Sequence, residues 1–139
     1  MLVKDLMTTA VTSVTPGSPA AAAVKIMRSE DVGIVPVCDI QGHLLGVITD
    51  RDIIMRIPDF GSFDVRTTTL ARDIMTTDVS TVSSTAEIHD AAKIFANKKV
   101  HRLPVLENGK LAGMLSISDL AKKRVFLAEV GDIIGSIAE

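Results

Sequence analysis

The 139 residues carry a formal net charge of −2, 47% of them are hydrophobic and only 3% aromatic. This chain is too apolar for a disordered or fibrous protein. It lacks the basic excess of a polyanion binder, and has too few aromatic rings to stack single-stranded bases, so nucleic acid is disfavoured as a partner.

The elements run as follows. A short extended opening segment, residues 3–9, leads to a helix that Ser18 caps with Pro19 at its first position; Ala20, Ala23, Val24 and Met27 line one face. A strand over 33–38 holds the lone cysteine, Cys38, which reads as a plain core thiol and admits no intrachain disulfide. The turn Asp39-Ile40-Gln41-Gly42, a strand over 44–49 and a short helix over 50–57 complete a first domain, residues 1–57. Residues 58–70 read as a linker, with Phe60 and Phe63 as anchors to the body.

A second domain follows at 71–124, and it repeats the first. Val3-Lys4-Asp5-Leu6-Met7-Thr8-Thr9 returns as Ala71-Arg72-Asp73-Ile74-Met75-Thr76-Thr77, 68 positions on. Ala23, Lys25 and Ile26 return as Ala91, Lys93 and Ile94, and Pro36-Val37 returns as Pro104-Val105. One residue is then lost in the turn, so that Gly42, Gly46 and Asp52 match Gly109, Gly113 and Asp119 at an offset of 67. In this copy Ser84 and Glu87 form a capping-box pattern ahead of Ile88, Ala91, Ala92 and Phe95. Strands are expected at 102–106 and 111–116, and a short helix at 117–125. Residues 125–139 read as a helical tail whose Leu127, Val130, Ile133, Ile134 and Ile137 need a surface to cover.

Each copy ends its second strand with Gly, two apolar residues, Thr or Ser, two residues and Asp: Gly46-Val47-Ile48-Thr49-Asp50-Arg51-Asp52 and Gly113-Met114-Leu115-Ser116-Ile117-Ser118-Asp119. The pattern admits two compatible readings. As a capping box, the hydroxyl and the acid satisfy amides at a helix start. As a ligand site, the carboxylate accepts from the vicinal hydroxyls of a ribose, the hydroxyl meets phosphate or sugar oxygens, and Arg51 adds a charge-assisted phosphate contact. No Gly-x-Ser-x-Gly elbow, His-Glu-x-x-His, phosphate loop or Cys/His cluster is present, so no enzymatic centre is expected.

The repeated Met-Thr-Thr-x-Val opening, the apolar-Pro-Val strand and the paired junctions resemble a tandem pair of cystathionine-β-synthase-type (CBS) domains over residues 1–122. The resemblance implies an α/β (α+β) fold, with two βαββα units related by a pseudo-twofold axis, each with a small mixed sheet, and with clefts between them. It implies an adenosine-containing ligand (AMP, ADP, ATP or S-adenosylmethionine) and no required cofactor. Carried over by position, Thr49 and Asp52 would hold phosphate and ribose in one cleft, with Arg51 at its phosphate; Ser116 and Asp119 would do so in the other. Ile34 and Pro36, and Arg102 and Pro104, would line the adenine pockets, and Thr12 and Ser80 would offer backbone contacts. His101 and Arg102 face Gly33 and Ile34 in the alignment of the copies, so the two clefts should differ.

Mean hydropathy of +0.34 and the internal symmetry predict a homodimer, with the helical faces at 20–27 and 88–95 and the tail as candidate surfaces. The single cysteine suits a reducing cytoplasm, and neither a membrane span nor a signal peptide is expected. A separate protein target is one output. An interaction module with no small ligand is the rival reading.

Overall fold

A computed structural model describes residues 1–58, 68–123 and 126–138; the expected anchors Phe60 and Phe63 lie outside them. In chain order the elements are α1 (Val3–Leu6), α2 (Ala20–Glu30), β1 (Ile34–Cys38), β2 (Leu44–Thr49), α3 (Asp50–Arg56), α4 (Ala71–Ile74), β3 (Val82–Ser83), α5 (Ile88–Lys98), β4 (Arg102–Glu107), β5 (Lys110–Ser116), α6 (Ile117–Ala121) and α7 (Leu127–Ala138). They form two compact units. One is residues 12–79; the other joins residues 1–11 to 80–139. Each repeat therefore lends its opening segment to the unit that holds the other repeat's sheet.

In the unit of residues 12–79, β1 and β2 pair antiparallel, with Ile34 opposite Thr49 and Pro36 opposite Val47. Val14 bridges Val37 in parallel, and Thr76 bridges Val47 antiparallel. The buried core is Ala20, Ala23, Val35, Val37, Ile48, Ile53, Ala71 and Ile74 with neighbours. In the other unit β3 runs parallel to β4 and β4 antiparallel to β5, a mixed sheet as expected. Its core joins Val3, Ile88, Phe95, Leu103, Leu115 and Leu120 to Val130 and Ile133 of α7.

The hairpin turns explain the change of offset. Asn108 and Gly109 both take positive φ (53° and 78°), the two-residue turn that favours Asn-Gly. The first copy closes a longer loop, in which the Asp39 carboxylate accepts from the amides of Gln41 and His43, both at 2.9 Å. Those bonds, the His43 amide foremost, lower the Asp39 pKa. Burial is the main reason the Cys38 thiol is raised, which suits an inert core thiol.

Three local expectations are corrected. The opening segments are not wholly extended: each begins with one helical turn, because Asp5 and Asp73 reach back to the amides of Leu2 (2.8 Å) and Leu70 (3.0 Å). Ser18 does not cap α2 and Ser84 with Glu87 does not cap α5; the cap positions are Pro19 and Glu87, without side-chain bonds. The first amides of both helices are taken instead by backbone carbonyls just ahead of the opening segments, Ala20 by Thr69 at 2.7 Å and Ile88 by Met1 at 3.1 Å. With that donor satisfied, the Ser18 hydroxyl turns to the Thr15 amide, and the Ser84 hydroxyl is buried without a partner. Third, the α2 and α5 faces and the tail are covered in part within the chain. Ala91, Ala92 and Phe95 are buried, and α7 packs Val130 and Ile133 into the same core.

Candidate functional site

Both junctions form where the second hairpin strand of a unit turns directly into a helix. Each is a complete capping box. Thr49 Oγ1 accepts from the Asp52 amide at 3.1 Å, and Asp52 Oδ2 accepts from the Thr49 amide at 2.9 Å. Ser116 Oγ and Asp119 Oδ2 repeat the pattern at 3.2 and 2.8 Å. The Asp50 and Ile117 amides bond back to the Gly33 and His101 carbonyls at the start of the first hairpin strand of each unit. That ties the junction to the segment that the resemblance assigns to adenine.

The expected site residues divide cleanly between the units. Thr12, Ile34, Pro36, Thr49, Arg51 and Asp52 fall in one, and Ser80, Arg102, Pro104, Ser116 and Asp119 in the other. Strand register brings Ile34 opposite Thr49 and Arg102 opposite Ser116. Directly opposed residues of an antiparallel pair project on the same face. Thr12 and Ser80 lie two residues before Val14 and Val82, which run parallel beside Val37 and Val105. Pro36 and Pro104 are buried in their strands, whereas Thr12, Arg51 and Arg102 are exposed. His43 pairs with Asp39 in the hairpin loop, Nδ1 to Oδ2 at 3.1 Å, and no group of three metal-ligating side chains occurs among the described residues.

The junctions differ in what their carboxylates touch. Asp52 is 6% exposed. Besides the Thr49 amide it accepts from Thr76 Oγ1, at 3.2 Å to each oxygen, and meets Arg56 Nε at 3.4 Å. Arg56 also donates to the carbonyl oxygens of Met75 (3.1 Å) and Ile74 (3.4 Å), so it fastens the opening segment of the second repeat to this unit. Asp119 is nearly as buried, but beyond the Ser116 amide its only described partner is Lys122, 3.9 Å from Oδ1 and largely exposed. Thr8, the repeat counterpart of Thr76, makes no described bond to it.

Sequence reasoning missed Thr76 and Arg56. The signals were present: Arg56 stands one helical turn after Asp52, the spacing of an ion pair, and Thr76 belongs to the repeated Met-Thr-Thr.

Two hairpin-and-helix units, built from exchanged repeats and each carrying the same hydroxyl-x-x-Asp junction, define a CBS-type pair. The CBS domain family model matches residues 3–59 and 71–125, and the chain belongs to that family. It is 32% identical over 136 residues to the CBS domain-containing protein YhcV of Bacillus subtilis, covering 98% of this chain and 94% of that protein. It is 32% identical over 122 residues to hypoxic response protein 1 of Mycobacterium tuberculosis, covering 86% and 82%. Among solved structures, CBSX2 in complex with AMP, a CBS-pair protein of Arabidopsis thaliana, superposes with a TM-score of 0.77 at 26% identity, covering 91% of this chain and 98% of that one. No described helix is long and apolar enough to cross a membrane.

Proposed function

We propose that this protein is a regulatory module that senses an adenosine-containing nucleotide (AMP, ADP, ATP or S-adenosylmethionine), catalyses no reaction, and acts in the cytoplasm on a separate protein target. The observation that carries the reading is the junction itself. A hydroxyl and a nearly buried carboxylate three residues apart are held beside a buried-proline strand, twice. A carboxylate held this way suits the two vicinal hydroxyls of a ribose, since it only accepts and they can both donate. Arg51 and Arg102, exposed beside the two junctions, offer charge-assisted contacts to phosphate. The AMP complex of CBSX2 supports the choice of ligand.

Thermal denaturation followed by far-ultraviolet circular dichroism tests it, with AMP, ADP, ATP and S-adenosylmethionine at millimolar concentration and GTP as control. A ligand at one hundred times its dissociation constant stabilises the native state by about 2.7 kcal/mol, so a rise of several degrees is expected with at least one adenosine compound. No shift with any of them would favour an interaction module without a small ligand.

The same reading includes a homodimer. Ile54 and Met55 on α3, at 61% and 68% exposure, and Leu127 and Ile134 on α7 are large apolar side chains left to solvent. Light scattering at tens of micromolar should give twice the chain mass; a monomer mass with and without nucleotide would remove the dimer.

A further inference from the structure

We propose that the two junctions have separate jobs: Ser116–Asp119 takes the ligand, with Arg102 reading its phosphates, while Thr49–Asp52 is a latch that holds the unit of residues 12–79 together. The inference rests on the nucleotide reading above and adds which junction binds and which part of the ligand decides affinity.

A ribose acceptor needs carboxylate oxygens free to receive two hydroxyl protons. Asp52 has none to spare. Its Oδ2 takes the Thr49 amide and the Thr76 hydroxyl, and its Oδ1 takes the same hydroxyl and faces the Arg56 guanidinium at 3.4 Å. A ribose entering there would have to displace Thr76 and Arg56, and Arg56 also holds the Ile74 and Met75 carbonyls. Arg51 remains exposed beside this junction, but a cation alone supplies no acceptor for the sugar.

Asp119 keeps Oδ1 free of any described hydrogen bond, with only the exposed head of Lys122 at 3.9 Å. The groups around it suit an anionic ligand. Arg102 stands directly across the strand pair from Ser116, on the same face, and no carboxylate among the described residues pairs with it. Ser118 lies 2.8 Å from Ser116, oxygen to oxygen, which adds a second hydroxyl. In the other unit the position of Arg102 is Ile34, opposite Thr49. A guanidinium across the strand pair from the junction, with two hydroxyls and a nearly buried carboxylate in the junction itself, can grip phosphate and ribose together. An apolar side chain in that place cannot.

Isothermal titration calorimetry of the full chain with ATP, AMP and adenosine tests this. One ATP per chain is expected, bound at least tenfold more tightly than adenosine. Arg102→Gln should abolish that preference, weakening ATP by tenfold or more and adenosine by less. Asp119→Asn, which retains an oxygen for the Ser116 amide, should weaken ATP and adenosine alike by tenfold or more, with the melting temperature checked in parallel. Thr76→Val should lower the melting temperature without weakening ATP. Two equivalents of ATP per chain, wild-type binding by Asp119→Asn, or an intact ATP preference in Arg102→Gln would each overturn the assignment. Failure of wild-type protein to bind any of the three compounds would instead bring down the nucleotide reading, and the inference with it.

Discussion

Phe95→Ala should lower stability by about 3–5 kcal/mol, the usual cost of deleting a fully buried ring and leaving a cavity in its place. Phe95 is fully buried and the largest such side chain among the described residues. It sits on the inner face of α5, in the cluster that joins the sheet residues Leu103, Val105 and Leu115 to Val130 and Ile133 of α7. Its loss therefore weakens two interfaces, helix on sheet and tail on helix. The repeat supplies an internal control. Met27, 68 positions earlier, is only half-buried, so Met27→Ala should cost less than half as much. With no Trp or Tyr in the chain, urea unfolding is best followed by far-ultraviolet circular dichroism. Hydrogen exchange would then show protection lost over 88–98 and 127–138 but retained over 20–30. Equal losses in the two variants would mean that the tail contributes nothing to the α5 core.

The contrast between Phe95 and Met27 shows what the sequence discloses and what it leaves out. The apolar spacing at Ile88, Ala91, Ala92 and Phe95 announces an amphipathic helix, and its buried positions are those the spacing selects. Strand ends at Cys38, Thr49 and Ser116 also fall where the patterns put them. Their physics is local: side-chain period, turn chemistry and the residues that flank them. What a linear reading could not reach is which repeat supplies which partner. The Thr69 and Met1 carbonyls cap α2 and α5 from segments far off in the chain, and so displace the caps expected of Ser18 and Ser84. At the junctions the motif positions are legible, and Thr49, Asp52, Ser116 and Asp119 all take part in capping boxes. The Arg56 contact to Asp52 is legible in its i,i+4 spacing, but the Thr76 bond is not legible from spacing alone, because Thr76 arrives from 24 residues away. Equal motifs therefore concealed unequal carboxylates.

That exchange of opening segments also sets the second large effect, at Gly46 and Gly113. Gly113→Ala should cost about 2–3 kcal/mol, the upper part of the usual range for overpacking, because the nearest neighbour is backbone that cannot rotate away. A Cβ at Gly113 would lie 2.6 Å from the Thr8 carbonyl oxygen and 2.9 Å from the Met7 sulfur. The Thr8 carbonyl cannot retreat freely, since it accepts the Met114 amide at 2.9 Å while the Thr8 amide donates to the Met114 carbonyl at 2.9 Å. At Gly46 the added carbon would meet the Thr76 carbonyl oxygen at 2.6 Å, with the Met75 sulfur further off at 3.3 Å. Thr76 is held by the same kind of reciprocal pair with Val47, at 2.9 and 2.8 Å. The flexible Met75 can yield by a few tenths of an ångström, so relief at Gly46 must come from Thr76 itself. Moving Thr76 pulls its hydroxyl from Asp52 and slackens the Arg56 contacts to Ile74 and Met75. Gly46→Ala should therefore add the loss of a charge-assisted hydrogen bond, about 1.5–3 kcal/mol, to the steric cost, and be the more damaging of the two. Urea unfolding of both variants measures the difference. Losses below about 0.5 kcal/mol, the level of an ordinary surface change, would show that the opening segments do not dock through these glycines.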